Sequence, residues 1–538
     1  MIMAAIKTKR TSIQIALLVF AVFALYLQSL HAPLFFDDPD LATLATKGFG
    51  LSNFELRWLS SGTLGWTIQL LGNDIVWLRL GNVLLHAANV IALFYFLKQL
   101  FSATLNHSRL ASLSSRDIAW LAFFGALLFA LHPVAVYGVG YLMQRSILMA
   151  TLFMLLMLIS YLHGLLKGGW LWMIVAAACY FAAVSSKEHS VTAPAVALAL
   201  TFLVRKPSWA LLKYVAPYYL LLAFSAVGII YITSKMGLIA NAYEPNGAVV
   251  FEGVEKMANQ ASGESSQNAY LLSILTQSTL FFKYLGLWLM PNPAWMSIDM
   301  REPIAVSLKG WHTLGLVSFV AYFCGAVWLL MKRGRRGLLG FALLFPWLLF
   351  LTEMATVRAQ EPFVLYRSYF WMPGLFVALP LLLVKLSLKR VCLLLSVVAI
   401  VLVPLALNRL HSFSSGLLLW SDAEILVRNK HQVPGVERIY SIRAQEWISL
   451  GHYEEAITDL TTAIKVYPGY DFFYCDRATA EYLLGKYQEA LSDYNRAISI
   501  NAENPICYTG RARTHLTLGN NEAAQQDFAK SCALGICQ

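Results

Sequence analysis

Long uninterrupted apolar segments are the feature that most constrains the fold of this 538-residue chain. The first spans residues 13–30, directly after Lys7, Lys9 and Arg10, and further segments follow as far as residue 408. A helix needs roughly 20 apolar residues to cross the hydrocarbon core of a bilayer. The segments therefore predict an all-α, polytopic membrane helix bundle over residues 1–408.

Segment 13–30 has no small-residue cleavage site after it, so we expect an uncleaved anchor rather than a signal peptide. The later apolar segments lie at residues 75–97, 118–132, 141–163, 169–185, 190–204, 210–233, 268–290, 311–331, 337–352, 367–385 and 390–408.

Basic residues indicate the orientation, because Lys and Arg collect in short cytoplasmic loops. The two strongest basic loops are 332–336 and 385–390. With a cytoplasmic amino terminus, seven crossings leave residues 234–267 outside. Loop 332–336 is then cytoplasmic only if one of the two segments 268–290 and 311–331 does not cross. We expect 268–290 not to cross, because it carries Lys283 and ends at Pro291. About eleven crossings remain, and they place the carboxyl terminus outside. The short repeat array near that terminus favours a bacterial inner membrane, where the outer side is the periplasm.

The charge divides unevenly along the chain. Residues 1–408 hold 29 Lys+Arg and 15 Asp+Glu, whereas residues 409–538 hold 12 and 15. The overall charge of +11 is therefore a property of the membrane part and does not indicate nucleic-acid binding. The expected topology also puts every acid of the membrane part except Asp117 on the outer side, which places the chemistry there.

Residues 439–538 repeat themselves with a period of 34. A Leu-Gly pair, a Tyr and two Ala recur at this step, in the order typical of tetratricopeptide helix-turn-helix repeats. Three such repeats predict a short α-solenoid in a second domain, 409–538, with a concave surface for a protein partner. Packing on the chain's own loops is the alternative. The recurring glycine, arginine and aspartate positions are Gly451, Gly485 and Gly519; Arg443, Arg477 and Arg511; and Asp459, Asp493 and Asp527.

Two adjacent carboxylates follow the first apolar segment. Asp37 and Asp38 could hold a metal, or one could act as a general base that the other positions. An ordinary interfacial loop, with a turn starting at Asp38-Pro39, explains their position equally well.

Three cations are expected at the outer ends of apolar segments, at the depth of the two carboxylates. They are Arg145, Lys187 beside Glu188, and Arg367. Taken singly, each is better explained as a side chain that reaches the interface. Their shared depth favours a site for a lipid-linked phosphate, since Arg offers forked donors and Lys a compact charge. His132, which precedes Pro133, is better explained as a helix cap than as a catalyst.

Several common catalytic and metal-binding motifs are missing from the sequence, which narrows the reactions to be expected. No Walker loop, dinucleotide fingerprint or hydrolase elbow occurs in a convincing setting, so a nucleotide-driven soluble reaction is not expected. The seven cysteines form no zinc-type spacing, although Cys532 and Cys537 could pair outside the cytoplasm.

The order of short motifs resembles a known family, the transmembrane-and-tetratricopeptide-repeat O-mannosyltransferase-like proteins and their bacterial relatives in the GT-C glycosyltransferase superfamily. The resemblance covers nearly the whole chain. The motifs are Phe36-Asp-Asp38, Leu131-His-Pro133, Gln144-Arg145, Lys187-Glu188, Tyr284-Leu-Gly-Leu before Pro291, and Tyr366-Arg-Ser-Tyr-Phe, followed by the repeats.

The resemblance implies an integral-membrane glycosyltransferase that uses a polyprenyl-phosphate-linked sugar and needs no metal or other cofactor. It implies Asp37 or Asp38 as the catalytic base, and Arg145, Lys187 and Arg367 as ligands of the lipid phosphate. Glu188 and His132 would support them.

The expected acceptor is a hydroxyl, such as Ser or Thr of an exported protein, and a direct displacement would invert the anomeric carbon. One alternative is a non-catalytic scaffold whose repeats recruit envelope or pilus-like proteins. A transporter of lipid-linked sugar ranks third, because it predicts polar residues near mid-bilayer.

Overall fold

The computed structural model describes residues 2–35, 56–105, 113–236, 269–308, 310–358, 361–384, 386–430, 433 and 435–537. The chain divides into two compact units. The first comprises Met1–Trp295 and Ile304–Ser414, and the second comprises Met296–Pro303 and Ser415–Gln538.

The described residues of the first unit form helices joined by turns and short extended stretches. Short 3-10 segments at Leu27–His31, Leu142–Gln144, Glu188–Thr192, Pro293–Trp295, Leu351–Met354, Leu365–Arg367 and Met372–Val384 connect or extend its helices. The helices are α1 Ile2–Tyr26, α2 Trp58–Leu71, α3 Ile75–Leu105, α4 Ser115–Ala130, α5 Pro133–Gly140, α6 Arg145–Lys167, α7 Trp170–Ser186, α8 Ala193–Val204, α9 Trp209–Lys235, α10 Ala269–Leu289, α11 Trp311–Met331, α12 Gly334–Phe350, α13 Ser368–Trp371 and α14 Leu388–Ser412.

Apolar residues cover the outside of this unit as well as its core. Among the described residues, seven helices are long and apolar enough to cross a membrane, or eight if the bent pair α4–α5 counts as one span. The apolar windows of α9 and α11 are only 17% buried, and Phe224 on α9 is 82% exposed. Such surfaces are stable against lipid and not against water. The chain is therefore a multi-pass membrane protein.

Several predicted segments differ in detail from the helices observed. Segments 169–185 and 190–204 form helices shorter than a full span, and 367–385 is a short helix followed by a 3-10 segment. Helix α10 covers the segment that we expected not to cross, and it is not among the long apolar helices. Helix α2 was not predicted. The number of crossings remains a prediction.

Local sequence explains where helices begin and how closely they pack. Ser114 starts α4 with a capping box, because its side chain accepts from the Asp117 amide while Asp117 accepts from the Ser114 amide. Gly340 lets α12 approach α11, since an added Cβ would collide with the backbone of Ala326 and Leu330. Small residues commonly allow this close contact between membrane helices.

The second unit contains the predicted repeats as three antiparallel helix pairs. Gly451, Gly485 and Gly519 occupy the turn within each pair with φ near +80°, a conformation that side chains with a Cβ disfavour. The helices are α15 Gly416–Val427, α16 Val436–Ser449, α17 Tyr453–Val466, α18 Asp471–Leu483, α19 Tyr487–Ile500, α20 Pro505–Thr517 and α21 Asn521–Ala533.

The repeated arginine and aspartate pair with each other in all three repeats. In the second repeat, Arg477 donates from Nε and Nη2 to the two carboxylate oxygens of Asp493, at 2.6 and 3.0 Å. Its Nη1 donates to Thr461 of the preceding repeat at 3.0 Å. Each arginine thus ties the two helices of its own repeat together, and this one also ties successive repeats.

The second unit includes a segment from far upstream in the chain, Met296–Pro303. Arg301 is 1% exposed, pairs with Asp299 at 2.5 Å, and lies against Gly435, whose φ of +87° requires glycine. Lys430 donates to the Arg301 carbonyl at 3.3 Å. The repeat unit therefore depends on eight residues that precede α11.

Cysteine pairing differs between the units. The predicted pair Cys532–Cys537 is present, and a second pair, Cys475–Cys507, joins α18 to α20 with Cα atoms 5.5 Å apart. The three cysteines of the first unit are free thiols, and they are Cys179, Cys324 and Cys392.

Candidate functional site

The candidate site lies where several spans are interrupted at one level of the first unit. Helices α4 and α5 meet at an angle of 61°, and His132 caps the start of α5. The His132 ring also stacks on Trp288 of α10 at 4.2 Å, with Nε2 3.0 Å from the Trp288 carbonyl. Both contacts give His132 a structural role, as the sequence indicates.

Polar side chains on one face of α3 hold the interrupted backbone after α5. Asn82 donates to the carbonyls of Val139 at 3.4 Å and Leu142 at 3.2 Å, and Arg79 donates to that of Gly140 at 2.6 Å. Carbonyls freed at a break inside a membrane protein need such partners, because lipid offers no hydrogen bonds.

Arg145 begins α6 and is 3% exposed. Its guanidinium donates to the Asn82 side chain at 3.0 Å, the Thr63 carbonyl and Thr67 hydroxyl at 3.1 Å each, and the Leu78 carbonyl at 2.6 Å. These four protein acceptors direct the side chain towards α2 and α3. In this conformation Arg145 positions the neighbouring helices.

Glu353, in the 3-10 segment that follows α12, is the centre of a buried ion cluster. It is 1% exposed and accepts from Arg367 Nη1 at 2.8 Å and from His189 Nε2 at 2.9 Å. Arg358 Nε lies 3.4 Å from the same carboxylate. A buried carboxylate is stable only with such compensation.

A second carboxylate, Glu188, extends the cluster to Arg57, which directly precedes α2. Arg57 binds it through a fork, with Nε at 2.8 Å and Nη2 at 2.5 Å. His189 Nδ1 lies 3.2 Å from Glu188, so the imidazole stands between the two carboxylates. Arg57 also has a left-handed backbone, φ 64° and ψ 21°, which is uncommon for a side chain with a Cβ. We infer that the surrounding contacts hold it there.

Lys187 is the cation of this cluster that has no carboxylate partner within ion-pair distance among the described residues. It is 4% exposed, and its amine donates to the Ser146 hydroxyl at a long 3.5 Å. Burial, reinforced by the nearby Arg57 guanidinium, lowers the pKa of the Lys187 amine well below its usual range. An anion beside this amine would stabilise its charged form.

Among the described residues, and with the Lys187 amine protonated as it would be beside an anion, the cluster has one more cation than carboxylates. Its cations are Arg57, Lys187, Arg358 and Arg367, and its carboxylates are Glu188, Glu353 and Glu361, the last 4.0 Å from Arg367. Within the part of the chain that the structure describes, no group of three or more His, Cys, Asp and Glu is arranged to hold a metal ion. The arrangement suits an anionic ligand.

The structure thus brings together three of the predicted site residues, namely Lys187, Arg367 and Glu188. The sequence analysis did not select Arg57, His189, Glu353 or Arg358. His189 and Glu353 had a usable signal, because a charged or titratable residue at the end of an apolar segment is costly and tends to be functional.

Asp37 and Asp38 lie outside the described residues, so their predicted role as base remains a prediction. The chain just before them is held firmly, because Arg79 donates to the carbonyls of Ala32, at 2.8 Å, and Pro33. The chain just after this loop reaches Arg57 in the ion cluster. Both ends of the loop are therefore attached to the helices that carry the site.

Comparison with known proteins gives one family match. The tetratricopeptide repeat family model matches residues 473–504, which cover the second helix pair of the second unit. A search of curated protein sequences finds no match.

Similar solved structures fall into two groups. Arabinofuranosyltransferase AftD from Mycobacteria is 13% identical, with a TM-score of 0.36 over 78% of this chain and 28% of its own. The first TPR of Spaghetti (RPAP3), bound to an HSP90 peptide, is 25% identical, with a TM-score of 0.18 over 18% of this chain and 79% of its own. A mutant of MamA is 16% identical, with a TM-score of 0.20 over 29% of this chain and 81% of its own.

Proposed function

We propose that this chain is a membrane glycosyltransferase that moves a sugar from a polyprenyl-phosphate donor to a hydroxyl acceptor. The observation that carries the proposal is Lys187, a buried amine in an ion cluster that has no carboxylate partner of its own among the described residues. A phosphate is an anion that such an amine binds as a compact charge.

In the proposed reaction, Lys187 pairs with the donor phosphate and stabilises the negative charge that develops as the sugar–phosphate bond breaks. Asp37 or Asp38 takes the proton of the acceptor hydroxyl, whose oxygen forms the new bond to the anomeric carbon. The phosphate leaves with the electron pair of the broken bond. A single displacement of this kind inverts the anomeric configuration.

The remaining members of the cluster hold the backbone next to Lys187. Glu188 and His189, which directly follow Lys187, are bound to Arg57 and Glu353, so ion pairs fix the backbone on one side of Lys187. This support holds the backbone beside the amine, while the amine itself stays available to pair with an anionic ligand. Positioned charges of this kind stabilise a transition state without reorganising during the reaction.

Two observations support an outer location for the repeat unit. The free thiols are in the first unit and the paired cysteines are in the second, as expected for a domain in an oxidising compartment. In addition, Met296–Pro303 belongs to the repeat unit, so the chain is on the repeat side of the membrane both before α11 and after α14. With an outer repeat unit, loop 332–336 would lie on the cytoplasmic side, as the positive-inside rule expects of a basic loop.

We further propose that the acceptor is Ser or Thr of an exported protein, and that the repeat unit binds a protein partner. A bacterial inner membrane with periplasmic repeats is the setting that this topology fits. A pure scaffold would need neither a buried ion cluster nor a buried amine that lacks a carboxylate partner in the described part of the membrane unit.

The experiment compares strains that carry wild-type protein, Lys187→Gln or no protein, using mass spectrometry of exported proteins. We expect hexose-type modification by Lys187→Gln to be at least about 100-fold weaker than by wild type, since one stabilising donor commonly contributes that much to the rate. Lys235→Gln removes an exposed lysine at the end of α9 and should leave the modification intact. Full modification by Lys187→Gln, at equal protein level, would favour the scaffold.

A further inference from the structure

A crevice of about 820 Å³ lies between α3 and α6, away from the ion cluster. Its deep part is lined by apolar side chains from one face of each helix. They are Ala88, Ile91 and Tyr95 of α3, and Leu152, Leu156 and Ile159 of α6.

The polar side chains of the crevice all lie at one end. They are Lys98, Gln99 and Ser102 near the end of α3, and His163 and Lys167 at the end of α6. The crevice is therefore apolar along its length and cationic at its mouth. These properties are complementary to a lipid molecule with apolar chains and an anionic headgroup.

The length of the crevice also fits a lipid. Ala88 and Ser102 are fourteen residues apart on α3, which at 1.5 Å per residue is about 21 Å. Half of the roughly 30 Å hydrocarbon core accommodates the chains of one leaflet, and the remaining length reaches the headgroup region.

The two lysines supply charge that the protein does not neutralise. Lys98 is half-buried, with its amine 3.1 Å from the Thr11 hydroxyl and 5.5 Å from the centre of the Phe94 ring. Lys167 is exposed. Neither amine forms an ion pair with a carboxylate among the described residues, so both can face an anionic headgroup.

The crevice mouth lies on the opposite side of the membrane from the proposed chemistry. Helix α6 begins at Arg145, beside Ser146 and Lys187, and ends at Lys167 about 33 Å away. A donor phosphate bound at Lys187 therefore cannot contact the crevice mouth.

We propose that this crevice binds one anionic phospholipid from the leaflet opposite the ion cluster, with an acyl chain between α3 and α6 and its phosphate at Lys98 and Lys167. The proposal does not depend on glycosyl transfer. It assigns a lipid-binding site to a part of the membrane unit that the proposed reaction does not use.

Native mass spectrometry of the full chain in detergent tests the proposal, with dioleoyl phosphatidylglycerol and dioleoyl phosphatidylcholine as probes. We expect wild type to hold one phosphatidylglycerol in preference to phosphatidylcholine. Lys98→Gln with Lys167→Gln should weaken binding of phosphatidylglycerol about 30-fold, since each lysine near a membrane surface contributes about fivefold.

Two further variants separate this site from general charge effects. Ala88→Phe fills the crevice without changing charge and should also lose the bound lipid. Lys206→Gln with Lys213→Gln removes two exposed lysines on the same side, outside the crevice, and should retain it. Equal binding of the two probes, retention by Ala88→Phe, or displacement by polyprenyl phosphate alone would overturn the proposal.

Discussion

Replacing Glu353 by Gln tests whether the buried cluster is held together by charge. The substitution keeps the shape of the side chain but removes the charge that compensates Arg367, at 2.8 Å, and Arg358, at 3.4 Å. Removing one partner of a buried ion pair typically costs about 3–5 kcal/mol, because the other charge stays buried. At about 2 °C per kcal/mol for a large domain, the unfolding midpoint should fall by about 6–10 °C.

The assay is thermal unfolding of the detergent-purified chain, followed by tryptophan fluorescence. A double-mutant cycle supplies the control. Adding Arg367→Met to Glu353→Gln removes the uncompensated guanidinium, so the double variant should be more stable than the sum of the single losses predicts. A fall below about 2 °C for Glu353→Gln, or additive losses in the cycle, would refute charge compensation as the reason for this cluster.

Three further predictions concern the repeat unit. Half-burial together with Asp493 and Glu489 raises the pKa of Glu481 to about 7, so ionising this carboxyl destabilises the fold increasingly from about pH 4.5 to 7. Glu481→Gln should therefore raise the free energy of unfolding at pH 8 by about 1 kcal/mol, after allowance for solvent screening, and leave it unchanged at about pH 4.5. Arg477→Met should lower the urea midpoint for proteolysis of the repeat unit by the equivalent of about 2–3 kcal/mol, because it removes charged hydrogen bonds to the buried carboxylate of Asp493, whereas exposed Arg513→Met should not change it. Alkylation of the denatured chain should add three labels before reduction and seven after it; seven before reduction would place the repeats in a reducing compartment.

Much of the fold could be predicted from periodicity and charge. The 34-residue step predicted the helix pairs, because each glycine at the step occupies a turn with positive φ. The arginine and aspartate at the same step pair in the structure, since they lie on facing helices of one repeat. Segment 268–290 was expected not to cross because of Lys283 and the proline that follows it; α10 forms there, and whether it crosses remains a prediction.

The parts that could not be predicted depend on contacts between distant residues. Arg145 was predicted to bind phosphate because of its depth, and only the fold shows that α2 and α3 supply its acceptors. Arg57 carries no local signal, since its role follows from a backbone conformation and a pair with Glu188 more than a hundred residues away. No sequence pattern predicted that Met296–Pro303 belongs to the repeat unit.

The most direct test of the central claim is the affinity of the purified chain for a polyprenyl phosphate compared with the polyprenol of the same length. If Lys187 holds the phosphate, wild type should bind the phosphorylated lipid more tightly, and Lys187→Gln should weaken that binding at least about 30-fold while leaving polyprenol binding unchanged. Equal affinity of wild type and Lys187→Gln for polyprenyl phosphate would contradict the account.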